Sequence, residues 1–208
     1  MEEFDVLYDK ERDTLTTQFA EKHKKMLAMS RFFFEAIKRY RQQGWYTHAE
    51  IWNIAFFLNI AAHDTSILVL QLANEREPWD RKLAARHVAL AVYETAEDLA
   101  QLLGKPIRDA VQRLGLLNEL DRELRQTRQP LDIYWQTYTP ILKAIRLTSV
   151  AHREHDGITQ FEVIDKIDVD QILELGLKFG DIQNQLGARL QALLNRTAKV
   201  RPPEMGSN

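Results

Sequence analysis

The 208-residue chain contains no cysteine, so disulfide stapling, thiolate metal sites and a cysteine nucleophile are excluded. It has no glycine-rich strand-to-helix turn and no Gly-x-Ser-x-Gly elbow, which removes P-loop, dinucleotide-binding and serine-hydrolase readings. Net charge is almost absent too. A formal value of -2 is wrong for a dedicated non-specific nucleic-acid binder, although it leaves room for a local basic site. The longest apolar stretch, "IWNIAFFLNIAA", is interrupted by asparagines and falls short of the roughly 20 residues a bilayer span needs. No basic-then-apolar leader opens the sequence, since "MEEFDVLYDK" is acidic. The expectation is a cytoplasmic protein without membrane contact.

What is present is helix. Hydrophobic residues make up 45% of the chain and charged residues 28%, enough apolar material for one sizeable core. The eight glycines and six prolines punctuate long stretches in which apolar residues recur at helical spacing. The fold class expected is all-α, a helical bundle of about five to seven helices. One domain covers 1–197 and a flexible tail covers 198–208, where two prolines and small polar residues gather.

The first helix is expected from about Tyr8 to Gln43, with Gly44 as its C-terminal cap. In "THAE", Thr47 and Glu50 read as a capping box opening a second helix, which Pro78 bars from continuing. That helix is apolar most of the way round, so it should be the central, most buried one. Asp80 reads as the cap of a third helix closed by Gly104. Pro106 then starts a short fourth helix that ends near Gly115. "LNELDRELRQTRQ" reads as a separate charged helix. Pro140 splits the next stretch, with Thr139 either capping its second half or marking a kink within one helix. A loop is expected around Gly157 to Lys166, where "TQFEVID" shows weak strand-like alternation. The last helix is capped by Asp168 with Gln171 three residues on, and buries Ile172, Leu175, Leu186, Leu190 and Leu193.

Several residues invite a chemical reading. A di-iron site in a bundle needs Glu-x-x-His pairs, and the chain has none; His152 and His155 lack a spaced carboxylate partner, so no metal or other cofactor is expected. His63–Asp64 sits inside the apolar second helix without the further histidines a metal phosphohydrolase would require. The pair is expected to hydrogen-bond internally or face a partner helix, or else Asp64 is a buried counter-ion for an arginine of a neighbouring helix such as Arg86 or Arg146. Arg86 and His87 point about 100° apart on a helix, so one should pack against the bundle and the other face water. Trp45, Tyr46 and Trp52 form an aromatic cluster that reads either as a core anchor or as a partner surface.

The densest chemistry lies in "RLTSVAHREHDG", residues 146–157. Arg146 and His152 are six apart, roughly 120° around a helix axis and about 9 Å along it, so one helix cannot clamp a single atom with both. Two such helices meeting across a symmetric contact could. Arg153 returns to nearly the face of Arg146, Ser149 lies between them, and Lys143 adds charge one turn upstream. Arginine offers forked donors suited to phosphate, and imidazole exchanges protons near neutral pH.

"RLTSVAHRE" resembles the Arg-x(4–6)-His signature of the HEPN superfamily, in particular the subgroup related to abortive-infection proteins, whose arginine is followed by "AHR". The resemblance covers the helical order loosely and Arg146 to Arg153 specifically. It implies an all-α domain that cuts RNA without a metal, as a toxin or antiviral-defence effector, from a cleft where the motif helices of two protomers meet. Carried onto this chain, His152 becomes the general base or acid and Arg146 the phosphate clamp, with Lys143, Ser149, Arg153 and His155 as supporting contacts to RNA. Leu147 departs from the pattern: active members commonly carry asparagine or aspartate there. The superfamily also contains members that cut nothing and serve as dimerisation or binding modules. The partners implied are RNA, a second copy of the chain, or a cognate protein in a hetero-complex.

Overall fold

The computed structural model describes residues 2–146 and 157–200. Within them the chain is an all-α bundle of seven helices: α1 Glu2–Gln42, α2 Tyr46–Asn74, α3 Pro78–Leu102, α4 Lys105–Arg113, α5 Leu117–Ile145, α6 Gly157–Asp165 and α7 Val169–Thr197. Helices α2, α3, α5 and α7 form a four-membered ring, with α3 also touching α7 across it. Helix α1 lies outside this ring along α2, and α4 closes one end against α2, α3 and α5.

Helix ends follow from local chemistry. Gly44 adopts a φ of 75° and Gly115 one of 73°. That left-handed turn lets Trp45 N–H reach the Tyr40 carbonyl at 2.8 Å and Leu116 N–H reach that of Val111 at 3.1 Å, satisfying carbonyls that a helix end would leave bare. Pro78 and Pro106 occupy first turns, where a missing N–H costs nothing. The Asp168 carboxylate accepts from the Gln171 amide at 3.0 Å, as expected of an N-cap.

Four boundaries differ from expectation. Helix α1 begins at Glu2 rather than near Tyr8. The Thr47–Glu50 box does not form, because α2 already starts at Tyr46 and Glu50 is engaged by Arg113 of α4. Asp80 sits inside the first turn of α3, whose cap position is Glu77. The segment around Gly157 to Lys166 is helix rather than loop or strand, because α6 stacks Phe161 on Trp79, with ring centroids 6.1 Å apart, and sets Asp165 within 2.7 Å of Lys82.

The largest difference is α5. Pro130 and Pro140 both lie inside one continuous helix of 29 residues. A proline frees the carbonyl four residues before it. For Pro130 that is Gln126, whose oxygen accepts instead from the Arg189 guanidinium of α7. The Thr139 hydroxyl does not cap a new helix; it donates back to the Trp135 carbonyl at 2.5 Å.

The core runs the length of the ring, with Ile51, Leu72, Leu99, Leu131, Phe179 and Leu186 fully buried. Ile172, Leu175, Leu190 and Leu193 of α7 are buried as their spacing foretold. Gly176 lets α7 approach α2 and α3 closely: a Cβ there would lie 2.7 Å from Val69 Cγ2 and 3.0 Å from Val88 Cγ1. Helix α2 is long and apolar enough by composition to cross a membrane, with an 18-residue window of mean hydropathy 1.4. Contacts with α1, α3, α4 and α7 bury 39% of that window within the bundle. At its start, fully buried His48 donates from Nε2 to the Thr197 and Val200 carbonyls, 3.2 and 3.0 Å away, and so holds the turn at 198–200.

Candidate functional site

The signature arginine stands where α5 ends against α3. Arg146 is the C-cap residue of α5, its N–H directed at the Leu142 and Lys143 carbonyls. Its Nε donates to the Glu94 carboxylate of α3. Its guanidinium carbon lies 5.1 Å from the centre of the Tyr93 ring, which is itself buried and packed 5.1 Å from Trp135 of α5. The hydrogen bond donated to Glu94 is the main reason the Arg146 pKa is raised above the arginine value, with Glu94, Tyr93 and Glu97 adding electrostatic support against desolvation. The cation is fixed in orientation and matched in charge by its own chain. It remains reachable, with 28% of its side chain exposed.

Tyr93 and Glu94 are the residues sequence reasoning missed. Their signal was the acidic run Glu94, Glu97 and Asp98 late in α3, a helix half that carries no cation of its own and so calls for one from a neighbour. Asp64 is not the partner expected for Arg146. It is exposed on α2, so the buried counter-ion reading is corrected. On α3, His87 faces water while Arg86 is half buried, as the 100° offset requires. Lys143 is exposed on the last turn of α5. Leu147, Ser149, His152, Arg153 and His155 lie outside the described residues.

Two further features border α1 and α2. His63 meets His23 of α1 edge to face, with ring centroids 4.7 Å apart. Burial, then the neighbouring His63 and Lys22 charges, lower the His23 pKa from its usual value. The aromatic cluster divides between the two roles left open for it. Trp52 is buried against Phe33, Trp45 stacks on Tyr40, and Tyr46 is 67% exposed.

Tyr46 belongs to a longer stripe. Tyr46, Asn53, Ile60 and Ile67 recur every seven residues on α2, and Leu27, Phe34 and Arg41 do so on α1, all of them exposed. Seven residues are nearly two helical turns, so each set keeps to one side of its helix. The two sets meet at a trough of about 590 Å³ lined by Phe34, Arg41, Tyr46, Asn53 and the half-buried Phe56.

The fold and these surfaces define an all-α bundle with an ion-paired arginine at one end and an apolar face along its outer hairpin. No family model, no curated protein and no solved structure matches the chain.

Proposed function

We propose that this protein is a HEPN-like helical interaction module of a defence or toxin–antitoxin system, and that it pairs with a second copy of itself through the α1–α2 face. The observation that carries this reading is the seven-residue stripe on both helices, apolar at Leu27, Phe34, Tyr46, Ile60 and Ile67 and polar at Arg41 and Asn53, a spacing by which helices pack side by side. Its size fits a dimer. The 29 residues of α2 rise about 43 Å, and two helices are about 20 Å wide, which offers roughly 800 Å² per partner, the area of a standard stable interface. Charge fits as well. By sequence, residues 2–13 of α1 carry Glu2, Glu3, Asp5, Asp9, Glu11 and Asp13 against Lys10 and Arg12, whereas residues 22–41 carry seven lysines and arginines against Glu35 alone. An antiparallel two-fold pairing of α1 with its twin sets each acidic end against a basic half. The pairing of Arg146 with Glu94 supports a non-catalytic role, because its charge is already answered within the chain.

The test is sedimentation velocity across a concentration series. The wild-type chain should sediment as a dimer that weakens with added salt. Phe34→Glu with Ile60→Glu should give a monomer of unchanged helical circular dichroism. A wild-type chain that stays monomeric at high micromolar concentration refutes the pairing.

A second reading is the metal-independent endoribonuclease, favoured by the exposed fraction of Arg146 at the point where the segment bearing His152 departs. There His152 moves the proton of the ribose hydroxyl and Arg146 holds the phosphate, a role that requires it to leave or share Glu94. General acid–base help of this kind is worth roughly a hundred- to ten-thousand-fold. Labelled RNA incubated in EDTA decides it. Cleavage abolished in His152→Ala establishes the nuclease, and intact RNA with both proteins leaves the interaction module.

A further inference from the structure

A cavity of about 280 Å³ lies between α1, α2 and α7, on a different side of the hairpin from the stripe described above. Its walls are mostly apolar: Met26 and Phe33 come from α1, Leu58 from α2 and Leu194 from α7, with Lys22, Asn59, Asn184 and Gln191 also on the lining. One further polar group stands apart from these. Gln183 is only 3% exposed, borders the cavity, and its side-chain Nε2 donates to nothing. A buried amide donor without an acceptor carries a desolvation penalty that a protein normally avoids. The neighbouring amide does avoid it: Asn59 spends its Nδ2 on the Met26 carbonyl at 3.1 Å and on Ser30 Oγ at 2.8 Å. Of the polar side chains that line the cavity, Gln183 is the one whose buried donor finds no acceptor among the described residues.

The charge of the lining is one-sided. Lys22 is its only ionisable residue among the described residues, and none of the described carboxylates lines the space. Gly187 contributes to the lining too, and a Cβ built there would meet nothing within 4 Å, so the space is open on that side. The volume is close to the lower bound of about 300 Å³ for small-molecule sites, too small for a helix and suited to one short chain.

We infer that this cavity binds a small apolar carboxylate, a medium-chain fatty acid in chemical type, whose hydrocarbon body fills the space between Phe33, Leu58 and Leu194 while a carboxylate oxygen accepts from Gln183 near the positive charge of Lys22. Burial of the chain supplies the affinity, and the amide with the lysine selects the head group. The site is independent of the pairing proposed for α1 and α2, since none of its residues belongs to the seven-residue stripe.

The test uses the full chain and two probes of equal tail length and opposite head group, decanoate and decyltrimethylammonium, titrated below their micelle concentrations by isothermal calorimetry. Decanoate should bind at one site per chain, and decyltrimethylammonium at least tenfold more weakly. Gln183→Leu keeps the apolar packing but removes the donor, and should weaken decanoate about tenfold or more. Gly187→Leu projects a side chain into the space and should abolish binding while melting no lower than wild type, since leucine is a better helix former than glycine. Equal affinity for the two probes, or decanoate binding that survives Gly187→Leu, overturns the assignment, as does the absence of decanoate binding to the folded wild-type chain. Sedimentation of the same samples keeps this result separate from the dimer.

Discussion

Placing a single methyl group at Gly176 should test the packing at the centre of the bundle. The α-hydrogen of Gly176 faces Val69 of α2 and Val88 of α3, and a Cβ in its place would stand 2.7 and 3.0 Å from their methyl carbons. Carbon atoms prefer about 3.5–4.0 Å, so one valine must leave its rotamer or α7 must move outward. Overpacking of this kind costs about 1–3 kcal/mol. Replacing glycine by alanine inside a helix also gains about 1 kcal/mol in propensity, which would blur the result in isolation. Gly180 supplies the control: it lies one turn further along α7, and a Cβ there meets nothing within 4 Å. Both variants share the propensity gain, so the difference between them isolates the clash. At about 3 °C per kcal/mol for a domain of this size, Gly176→Ala should melt roughly 3–9 °C below Gly180→Ala. Adding Val69→Ala should recover part of the gap, with a favourable coupling of about 0.5–3 kcal/mol in the double-mutant cycle. Scanning calorimetry of wild type, the three single variants and the double variant measures it. A Gly176→Ala variant that melts at or above Gly180→Ala would refute the close approach of α7.

Three other outcomes follow from the same geometry. The folded chain holds the His23 pKa below its unfolded value of about 6.5, so the unfolded chain takes up the proton first. Stability should therefore be full above that value and fall as the pH drops through 6.5 toward the depressed one; His23→Gln should flatten the dependence of Tm between pH 7.5 and 5.5, and an unchanged slope would count against it. Arg189→Ala should cost about 0.5–1.5 kcal/mol, but much less in a Pro130→Ala background, where residue 130 regains the N–H that Gln126 needs; equal costs in the two backgrounds would remove the compensation. His48→Ala strands the Val200 carbonyl and removes a donor from that of Thr197, which keeps the Val200 N–H at 3.0 Å, and should cost about 1–3 kcal/mol in urea denaturation, with faster proteolysis at the C-terminal end. Trimming that leaves the midpoint unmoved would show that the turn at 198–200 bears no load.

Local signals carried most of the fold. Apolar spacing found the helices, and the glycines at 44 and 115 and the Asp168 cap worked as their chemistry dictates, because each concerns groups within five residues of one another. Misreadings arose where a distant element overrode a local rule. Glu50 was free to close a box with Thr47 only if Arg113 of α4 did not claim it. Pro130 would end a helix in isolation, yet Arg189, 63 residues further on than Gln126, answers the carbonyl it frees. The stretch around "TQFEVID" read as a loop with weak strand-like alternation, whereas Trp79 and Lys82 of α3 give one side of α6 something to meet. The candidate site shows the same division. Arg146 was legible as a cation near a helix end, but Glu94, 52 residues earlier, and Tyr93 become its neighbours only once α3 lies along α5.

Helix α1 is built like a cantilever. It is anchored at the Gly44 turn and rests on α2 alone among its substantial contacts, while the small cavity keeps it off α7. The ring of α2, α3, α5 and α7 does not need it in order to close. Amide protons of α1 should accordingly exchange with solvent through an opening of lower free energy than those of α3 or α7, as one cooperative segment. Whatever occupies the cavity or clasps the outer hairpin would then act as a brake on that opening.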